Sequence, residues 1–383
     1  MPSNRRPTVL TLLSGDGYGA QVSLGVLQYA REHHNLTVRR AMNIEDLELA
    51  HAVKPDGVIG QFTTPGRVAM ALGLRVPAIN VSAVIETELP LVCSDNSSVG
   101  ALAAQHFLTR RYGQLCVYYN STLLYARLRA LAFKREAEEA GATCVLVDEQ
   151  DLHLAPSQVR RERQLAQWMK ALPAPMGLFM AVSWGGFMLG HIAKAAGKRI
   201  PEDLAVITLG DDRIGCEMDD PPISSVDADG IRVGYEAARA MVDLVEGKAA
   251  PVRSLLIPPI GVTARGSTST FGTSDPDVLA ALQFIRDQAC RGIGVTDVCE
   301  AVAMSRSTLQ RRFTQIVGRT ILDEIQRVRL DQAKYLLTYT DLPPATVARR
   351  AGFGDASALC HVFRRCVGMS PGAFRAQGRP TST

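Results

Sequence analysis

The sequence predicts an α/β domain built on parallel, doubly wound sheets, followed by an all-α domain holding two copies of a helix-turn-helix unit. Three observations predict it. Short, continuously apolar runs alternate with helical runs from residue 8 to residue 262. A polar stretch rich in Gly, Ser and Thr, RGSTSTFGTSD at 265–275, then interrupts the alternation. Beyond it the strand pattern ends, and one arrangement of caps and apolar positions occurs twice, 50 residues apart.

The strand candidates, in order, are VLTLL (9–13), GVIG (57–60), AINVS (78–82), LVCS (91–94), LCVYY (115–119), CVLV (144–147), GLFMAV (177–182), LAVITL (204–209) and SLLIP (254–258). Their unbroken apolar character is what a sheet covered by helices on both faces requires. Helical runs lie between them at 20–32, 65–73, 97–110, 127–140, 159–171, 186–197 and 231–246. Repeated β-α units give a parallel sheet with ligands at the carboxyl ends of its strands. The expected organisation is 1–268 for the α/β domain, 269–276 for a linker and 277–383 for the helical domain.

In the helical domain, a helix over 356–367 places Leu359, Val362, Phe363 and Cys366 at i, i+3, i+4 and i+7, one apolar stripe with Cys366 in the core. Asp355 stands where an N-cap belongs and Gly368 where the helix must stop. The upstream copy has Ser305 for Asp355, Leu309, Phe313 and Ile316 for the stripe, Gly318 for Gly368 and Thr320 for Ser370. Shorter helices at 295–302 and 344–351 precede the two, with Val298 matched to Ala348 and Ala301 to Ala351. The turns are Ala303-Met304-Ser305 and Gly352-Phe353-Gly354. A long helix at 321–338 joins the copies and spans about 27 Å at ~1.5 Å per residue. Such a strut holds two recognition helices about one DNA turn, ~34 Å, apart.

The outward face of the first copy carries Arg306, Ser307, Gln310, Arg311 and Thr314, and that of the second Ala356, Ser357, Cys360, His361 and Arg364. Arginine pairs bidentately with guanine and glutamine with adenine, so Gln310-Arg311 is the expected base-reading pair. Arg312, Arg365 and Arg375 are expected on phosphates. A helical oligomerisation module with solvated arginines is the rival for this tail. Cys360 lies roughly 120° around the helix from Cys366, and no third ligand joins His361, so no metal site is expected.

Net charge is only +4, but from Asp275 onward 15 Lys+Arg face 10 Asp+Glu, which leaves about −1 for the rest. A basic module on a neutral one suggests a sensor joined to a polyanion binder, here double-stranded DNA. Eight scattered cysteines without a CxxC pair fit reduced thiols, and the N-terminus goes directly into a strand-like run, so no signal peptide is expected. A cytoplasmic protein without a membrane span is expected.

The tail resembles the AraC/XylS-type DNA-binding domain. That family's GF-D-S-F-FK-G-SP-YR signature reads here Gly352-Phe353, Asp355, Ser357, Phe363-Arg364, Gly368, Ser370-Pro371 and Phe374-Arg375. Arg329-Leu330, Ala333 and Leu336-Leu337 stand on the connecting helix. Ala358-Leu359 departs from the aromatic pair usual there, and Pro343-Pro344 opens a helix. Over roughly residues 8–268 the runs CSDNSSVGALAAQHFLTRRYG, LRALAFKREAEEAG, IPEDLAVITLGDD and IPPIGVTARGST resemble the lac-repressor-type, periplasmic-binding-protein-like effector domain. The combination implies a two-lobed sensor in front of the DNA-binding tail. It also implies a sugar-controlled activator that binds DNA as a homodimer, with RNA polymerase as a further partner.

A sugar pocket needs hydroxyl acceptors, an arginine donor and an aromatic face. By the resemblance, Asp95 takes the place of the family's hydroxyl-binding Asp and Arg129 of its pocket Arg. Asp16 and Tyr18 follow the first strand, and Gln61 follows another strand end. Ser183-Trp184 replaces the usual Asn-Asp, and Thr208-Leu209-Gly210-Asp211 replaces Gly-x-Asp, leaving Asp211 to supply the carboxylate. Trp184 either stacks on a sugar face or fills the pocket. A pentose such as xylose is one candidate effector; the alternatives are another sugar or sugar derivative, or a pocket that has lost its ligand.

The competing class is an enzyme acting on a sugar, with a helical interaction tail. The GDGYG run (15–19) follows a strand, but it lacks GxGxxG spacing and a GK[ST]. Asp211-Asp212 and Asp219-Asp220 are adjacent carboxylates, which do not face each other across a bond. His33, His34, His51, His106, His153 and His191 are isolated, and no cofactor is expected.

Overall fold

Continuously apolar strands need cover on both faces, and the chain supplies it with helices between successive strands. The computed structural model describes residues 6–15, 17–41, 52–182, 189–210, 213–248, 254–273 and 275–377. It divides into two compact units, Met1–Gly272 and Thr273–Thr383.

The first unit begins β1 (Thr8–Leu12), α1 (Gly17–His33), β2 (Thr37–Arg40), β3 (Gly57–Gly60), α2 (Pro65–Gly73), β4 (Ala78–Asn80) and β5 (Leu91–Ser94). It continues with α3 (Asn96–Leu108), β6 (Gln114–Tyr119), α4 (Leu124–Glu139), β7 (Thr143–Asp148), α5 (Gln158–Ala171) and β8 (Met176–Met180). It closes with α6 (Leu189–Ala195), β9 (Leu204–Leu209), α7 (Arg213–Met218), β10 (Ser224–Asp227), α8 (Gly230–Val245), β11 (Ser254–Ile257) and β12 (Gly261–Thr263). Two six-stranded sheets result, in the orders β11-β5-β4-β3-β1-β2 and β12-β10-β9-β8-β6-β7. The first is parallel throughout; in the second, β12 runs antiparallel to β10, the one departure from the all-parallel expectation. Sequence patterning missed β2, β10, β12 and α7. The β10 strand hides its identity because Ser224 and Ser225 are buried polar residues. Ser224 bonds Thr268 Oγ1 at 2.7 Å and Ser225 accepts from Arg265 at 2.9 Å.

Three chain segments cross between the sheets: 94–96, 227–230 and 258–260. Hydrogen bonds lace them together. Ser94 Oγ donates to the Ala228 carbonyl at 2.6 Å, Asp95 N to Ile257 O at 2.7 Å, and Ile260 N to Asp227 O at 2.9 Å. Two lobes on three laced crossovers are a hinge.

The polar run expected as a linker is mostly part of this unit. Ser267, Thr268, Thr270 and Phe271 are buried, and Gly272 N bonds Arg110 O at 2.9 Å. His106 Nε2 meets Thr268 Oγ1 at 3.0 Å, and burial together with Arg110 pushes its imidazole down to about 3, so this anchor is neutral.

The second unit is all helix: α9 (Pro276–Gln288), α10 (Val295–Ala301), α11 (Arg306–Val317), α12 (Ile321–Tyr339), α13 (Pro344–Arg350), α14 (Ala356–Val367) and α15 (Pro371–Gln377). The expected caps are present. Ser305 accepts from Thr308 N and Asp355 from Ala358 N; Gly318 and Gly368 close their helices at φ of 79° and 80°; Thr320 and Ser370 cap the helices that follow.

Two details differ from the sequence reading. The buried row is Leu309, Phe313 and Val317 in the first copy, and Leu359 and Phe363 with half-buried Val367 in the second. Cys366 is exposed, because a stripe centred on Phe363 follows i, i+4, i+8 and leaves i+7 at its edge. The first helices of the copies pair at a spacing of 49. Val302, Ala303 and Met304 donate to Val298, Glu300 and Cys299 as Ala351, Gly352 and Phe353 donate to Val347, Arg349 and Ala348. Gly354 is then one extra turn residue. At Gly352 φ is +80°, and an added Cβ would lie 2.6 Å from the Ala289 carbonyl, so only glycine fits.

Candidate nucleic-acid interface and effector site

The two outward faces of the second unit arise from the caps and rows just described. With Leu309 and Phe313 inward, α11 turns Arg306, Ser307, Arg311 and Thr314 to solvent, with Gln310 half-buried beside them. Gln310 Nε2 donates to Thr314 Oγ1 at 2.9 Å, so this amide is held one turn from its neighbour. On α14, Ser357, His361 and Arg364 are exposed, and Ala356 and Cys360 are half-buried. Every face residue expected from the sequence is therefore on the accessible side of its helix.

The three arginines expected on phosphates are engaged inside the unit. Arg312 bonds Asp275 through Nε at 2.9 Å and Nη2 at 2.6 Å, and Asp277 through Nη1 at 2.8 Å. Arg365 Nη2 donates to Gln326 Oε1 at 2.7 Å, and Arg375 Nη2 to the Leu342 carbonyl at 2.7 Å. Helical spacing showed which way these side chains leave the helix but not the partners that meet them there. The unit is braced further at Glu324, a buried carboxylate taken by Arg319 at 2.5 Å and Arg327 at 2.6 Å. Burial pushes that carboxyl up, but the two arginines outweigh it and hold it below the ordinary glutamate range. Arg329 reaches the carbonyls of Ala289 at 2.9 Å and Ile293 at 2.6 Å, tying α12 to the connection between α9 and α10.

In the first unit Tyr18 lies at the start of α1 after β1, Gln61 directly after β3, Asp95 on the first crossover and Arg129 within α4. A close crossing of α3 on α4 at Gly100, where a Cβ would stand 2.1 Å from the Arg129 carbonyl, seats Arg129 against α3. Its side chain is buried, with Nε on Asn96 Oδ1 at 2.8 Å, Nη1 on Ala181 O at 3.2 Å, and the guanidinium 4.7 Å over the Tyr125 ring. Asp95 caps α3 through Ser98 N at 3.1 Å and Ser98 Oγ at 2.6 Å. Gln61 Oε1 accepts from Ser14 N at 2.8 Å, and Tyr18 OH donates to Val81 O at 3.1 Å. Asp16, Trp184 and Asp211 lie outside the described residues.

Sequence reasoning passed over Asn80 and Asn96. Asn80 is buried at the end of β4; its Oδ1 accepts from Ser82 N at 3.0 Å and Ser82 Oγ at 3.2 Å, while its Nδ2 finds no acceptor among the described residues. Asn96 orients Arg129, and its place directly after Asp95 was the available signal. Burial pushes the Cys93 and Cys116 thiols up to about 12, so neither is ionised at neutral pH. Among the described residues no group of three metal-ligating side chains is brought together, and no helix is long and apolar enough to cross a membrane.

The chain thus carries a hinged two-lobed unit followed by a tandem helix-turn-helix unit. Residues 104–268 match the periplasmic binding protein-like domain family and residues 298–377 the helix-turn-helix domain family. The chain is 26% identical to the xylose operon regulatory protein of Haemophilus influenzae over 371 residues, 94% of this chain and 95% of that one. It is 27% identical to the Escherichia coli K12 protein of the same name over 329 residues, 84% of this chain and 83% of the relative. A solved xylose-binding transcription activator superposes with a TM-score of 0.72 at 24% identity, covering 98% of this chain and 99% of that one. The chain thus joins a periplasmic-binding-protein-like domain to an AraC-type helix-turn-helix domain and is homologous to xylose operon regulatory proteins.

Replacing Arg129 by Met leaves Asn96 Oδ1 and the Ala181 carbonyl without their donor. A loss of about 1–3 kcal/mol in the unfolding free energy of the first unit is expected. Urea melts followed by circular dichroism check it; an unchanged midpoint contradicts the bonding described.

Proposed function

We propose that this chain is a sequence-specific, double-stranded-DNA-binding transcription regulator controlled by a small sugar. The observation that supports it best is the pair of identically capped helices, α11 and α14, each with an accessible polar face and each braced on α12. In this reading Gln310 and Arg311 read base edges, with Arg306, Ser307 and Thr314 beside them. Ala356, Ser357, Cys360, His361 and Arg364 form the second, less charged face.

The effector enters between the lobes. Arg129, Asp95, Tyr18 and Gln61 frame it, and Asp16, Trp184 and Asp211 join them on sequence grounds. A pentose such as xylose suits the relatives' names. Closure of the lobes on it changes the state of the hinge, and the change reaches the DNA-binding unit. The regulator acts in the cytoplasm as a homodimer, engages RNA polymerase when it activates, and catalyses no reaction.

Two experiments test the reading. The full chain is used to enrich duplexes from a random pool, and Arg311→Ala is then measured against the enriched set. The expected result is about 1–3 kcal/mol of lost preference at one base position; an even loss across all sequences reassigns Arg311 to phosphate, and failure to enrich any duplex rejects the regulator. Thermal shift of the full chain against pentoses, hexoses and sugar acids is expected to give a raised Tm with a sugar recovered unchanged. A sugar that is consumed supports the enzyme instead.

A further inference from the structure

The two helix-turn-helix copies invite a position-by-position comparison, and one position stands out. Arg312 of α11 corresponds to Val362 of α14 at the 50-residue spacing that the caps share. Val362 is half-buried and packs on the apolar cluster of its copy, together with Leu359 and Phe363. The fold of the unit therefore accepts an aliphatic side chain here, and the guanidinium is an addition to the first copy alone.

What Arg312 meets is the entry to the unit. Asp275 takes Nε at 2.9 Å and Nη2 at 2.6 Å; Asp277 takes Nη1 at 2.8 Å; the Met304 sulfur in the first turn stands 3.7 Å from Nη1. Asp275 is also the N-cap of α9, accepting from Asp277 N at 3.1 Å and Val278 N at 3.2 Å, and its own N–H donates to Thr273 Oγ1 at 3.1 Å. One carboxylate thus fixes where the chain enters the second unit, where α9 starts and where α11 lies. Upstream, Gly272 is already bonded into the first unit through Arg110, so only residues 273 and 274 separate the two anchor points. Paired guanidinium–carboxylate bonds are directional as well as strong, which suits a part that sets orientation.

We infer that Asp275 is a positioning residue for DNA recognition: through Arg312 it sets the placement of α11, and with it the first of the two base-reading faces. This rests on the DNA-binding reading given above. Arg312 acts here as an internal clasp, with its charge matched by two carboxylates, and not as a phosphate contact.

The test uses the full chain and a duplex enriched from a random pool, with Arg311→Ala marking the footprint window read by α11. Arg312→Val, which installs the residue of the second copy, and Asp275→Asn are compared with the wild type. Each is expected to lose about tenfold in affinity, with weakened protection in the α11 window and unchanged protection in the other, at an unchanged slope of log affinity against log salt. Arg312→Lys, which keeps a cationic donor for Asp275 and leaves the α9 cap untouched, is expected to recover most of the loss, a rescue that general damage to folding would not permit. If Arg312→Val unfolds the unit by circular dichroism, Asp275→Asn, whose side-chain oxygen still caps α9, carries the test with Arg312→Lys. Wild-type affinity and footprint in Arg312→Val and Asp275→Asn overturn the inference. So does a salt slope lowered by about one with even loss in both windows, which makes Arg312 a phosphate ligand, and so does an Arg312→Lys chain that binds no better than Arg312→Val or Asp275→Asn. A wild-type chain that enriches no duplex rejects the DNA reading itself, and this inference with it.

Discussion

The long helix α12 is the part on which the second unit depends. Ile321 and Ile325 are buried in its first turns, and Leu330, Ala333, Leu336 and Leu337 in its second half, where they join the apolar cluster of the second copy. Its beginning packs with α9 and α11, and its later turns with α13 and α15. A helix of 19 residues is a rod of about 28 Å at ~1.5 Å per residue, and it cannot bend sharply without a proline or a bulge. The spacing of the two helix-turn-helix copies is therefore a property of one element. The buried Glu324 takes Arg327 on its own helix and Arg319 in the turn before it, and Arg329 ties the rod to the Ala289 and Ile293 carbonyls between α9 and α10.

Duplication explains what the copies share, and their differences show what each adds. The shared parts are caps and inward rows, which any such unit needs in order to bury its apolar side. The second copy has an extra turn residue, Gly354, and a glycine pressed on the Ala289 and Cys290 backbone. The first has Ala303 in a left-handed conformation at φ 52° and the charged clasp at Arg312. In the first unit the equivalent economy is the hinge, where three crossovers are joined by hydrogen bonds from Ser94, Asp95 and Ile260. Asp95 is at once a crossover residue and a helix cap, so a ligand that engages its carboxylate would act on the hinge directly.

How much of this was legible in the sequence follows from the range of each interaction. Caps, left-handed glycines and the α/β alternation are local, and Ser305, Asp355, Gly318 and Gly368 stand where spacing put them. The face residues were legible because burying Leu309 and Phe313 leaves Arg311 and Thr314 nowhere but outside. Long-range partners were not. Arg312 finds its carboxylate 37 residues away, and Arg375 finds the Leu342 carbonyl 33 residues away. A basic side chain carries no mark in the sequence of whether a phosphate or a neighbour will claim it. The serines of β10 were missed for a related reason: a polar residue enters a core strand only when a distant segment, here 265–268, satisfies it. In the first unit Arg129 was singled out through a resemblance, while Asn96, which accepts from it, and the buried Asn80 were not.

The central claim is that one rod holds two base-reading helices for neighbouring major grooves on one side of a duplex. Hydroxyl-radical footprinting of the full chain on an enriched duplex addresses it most directly. The account predicts two protected windows on one face, about one helical turn (roughly 10 base pairs) apart, for each copy of the second unit bound. A single window per copy, or two windows on opposite faces of the duplex, would contradict it.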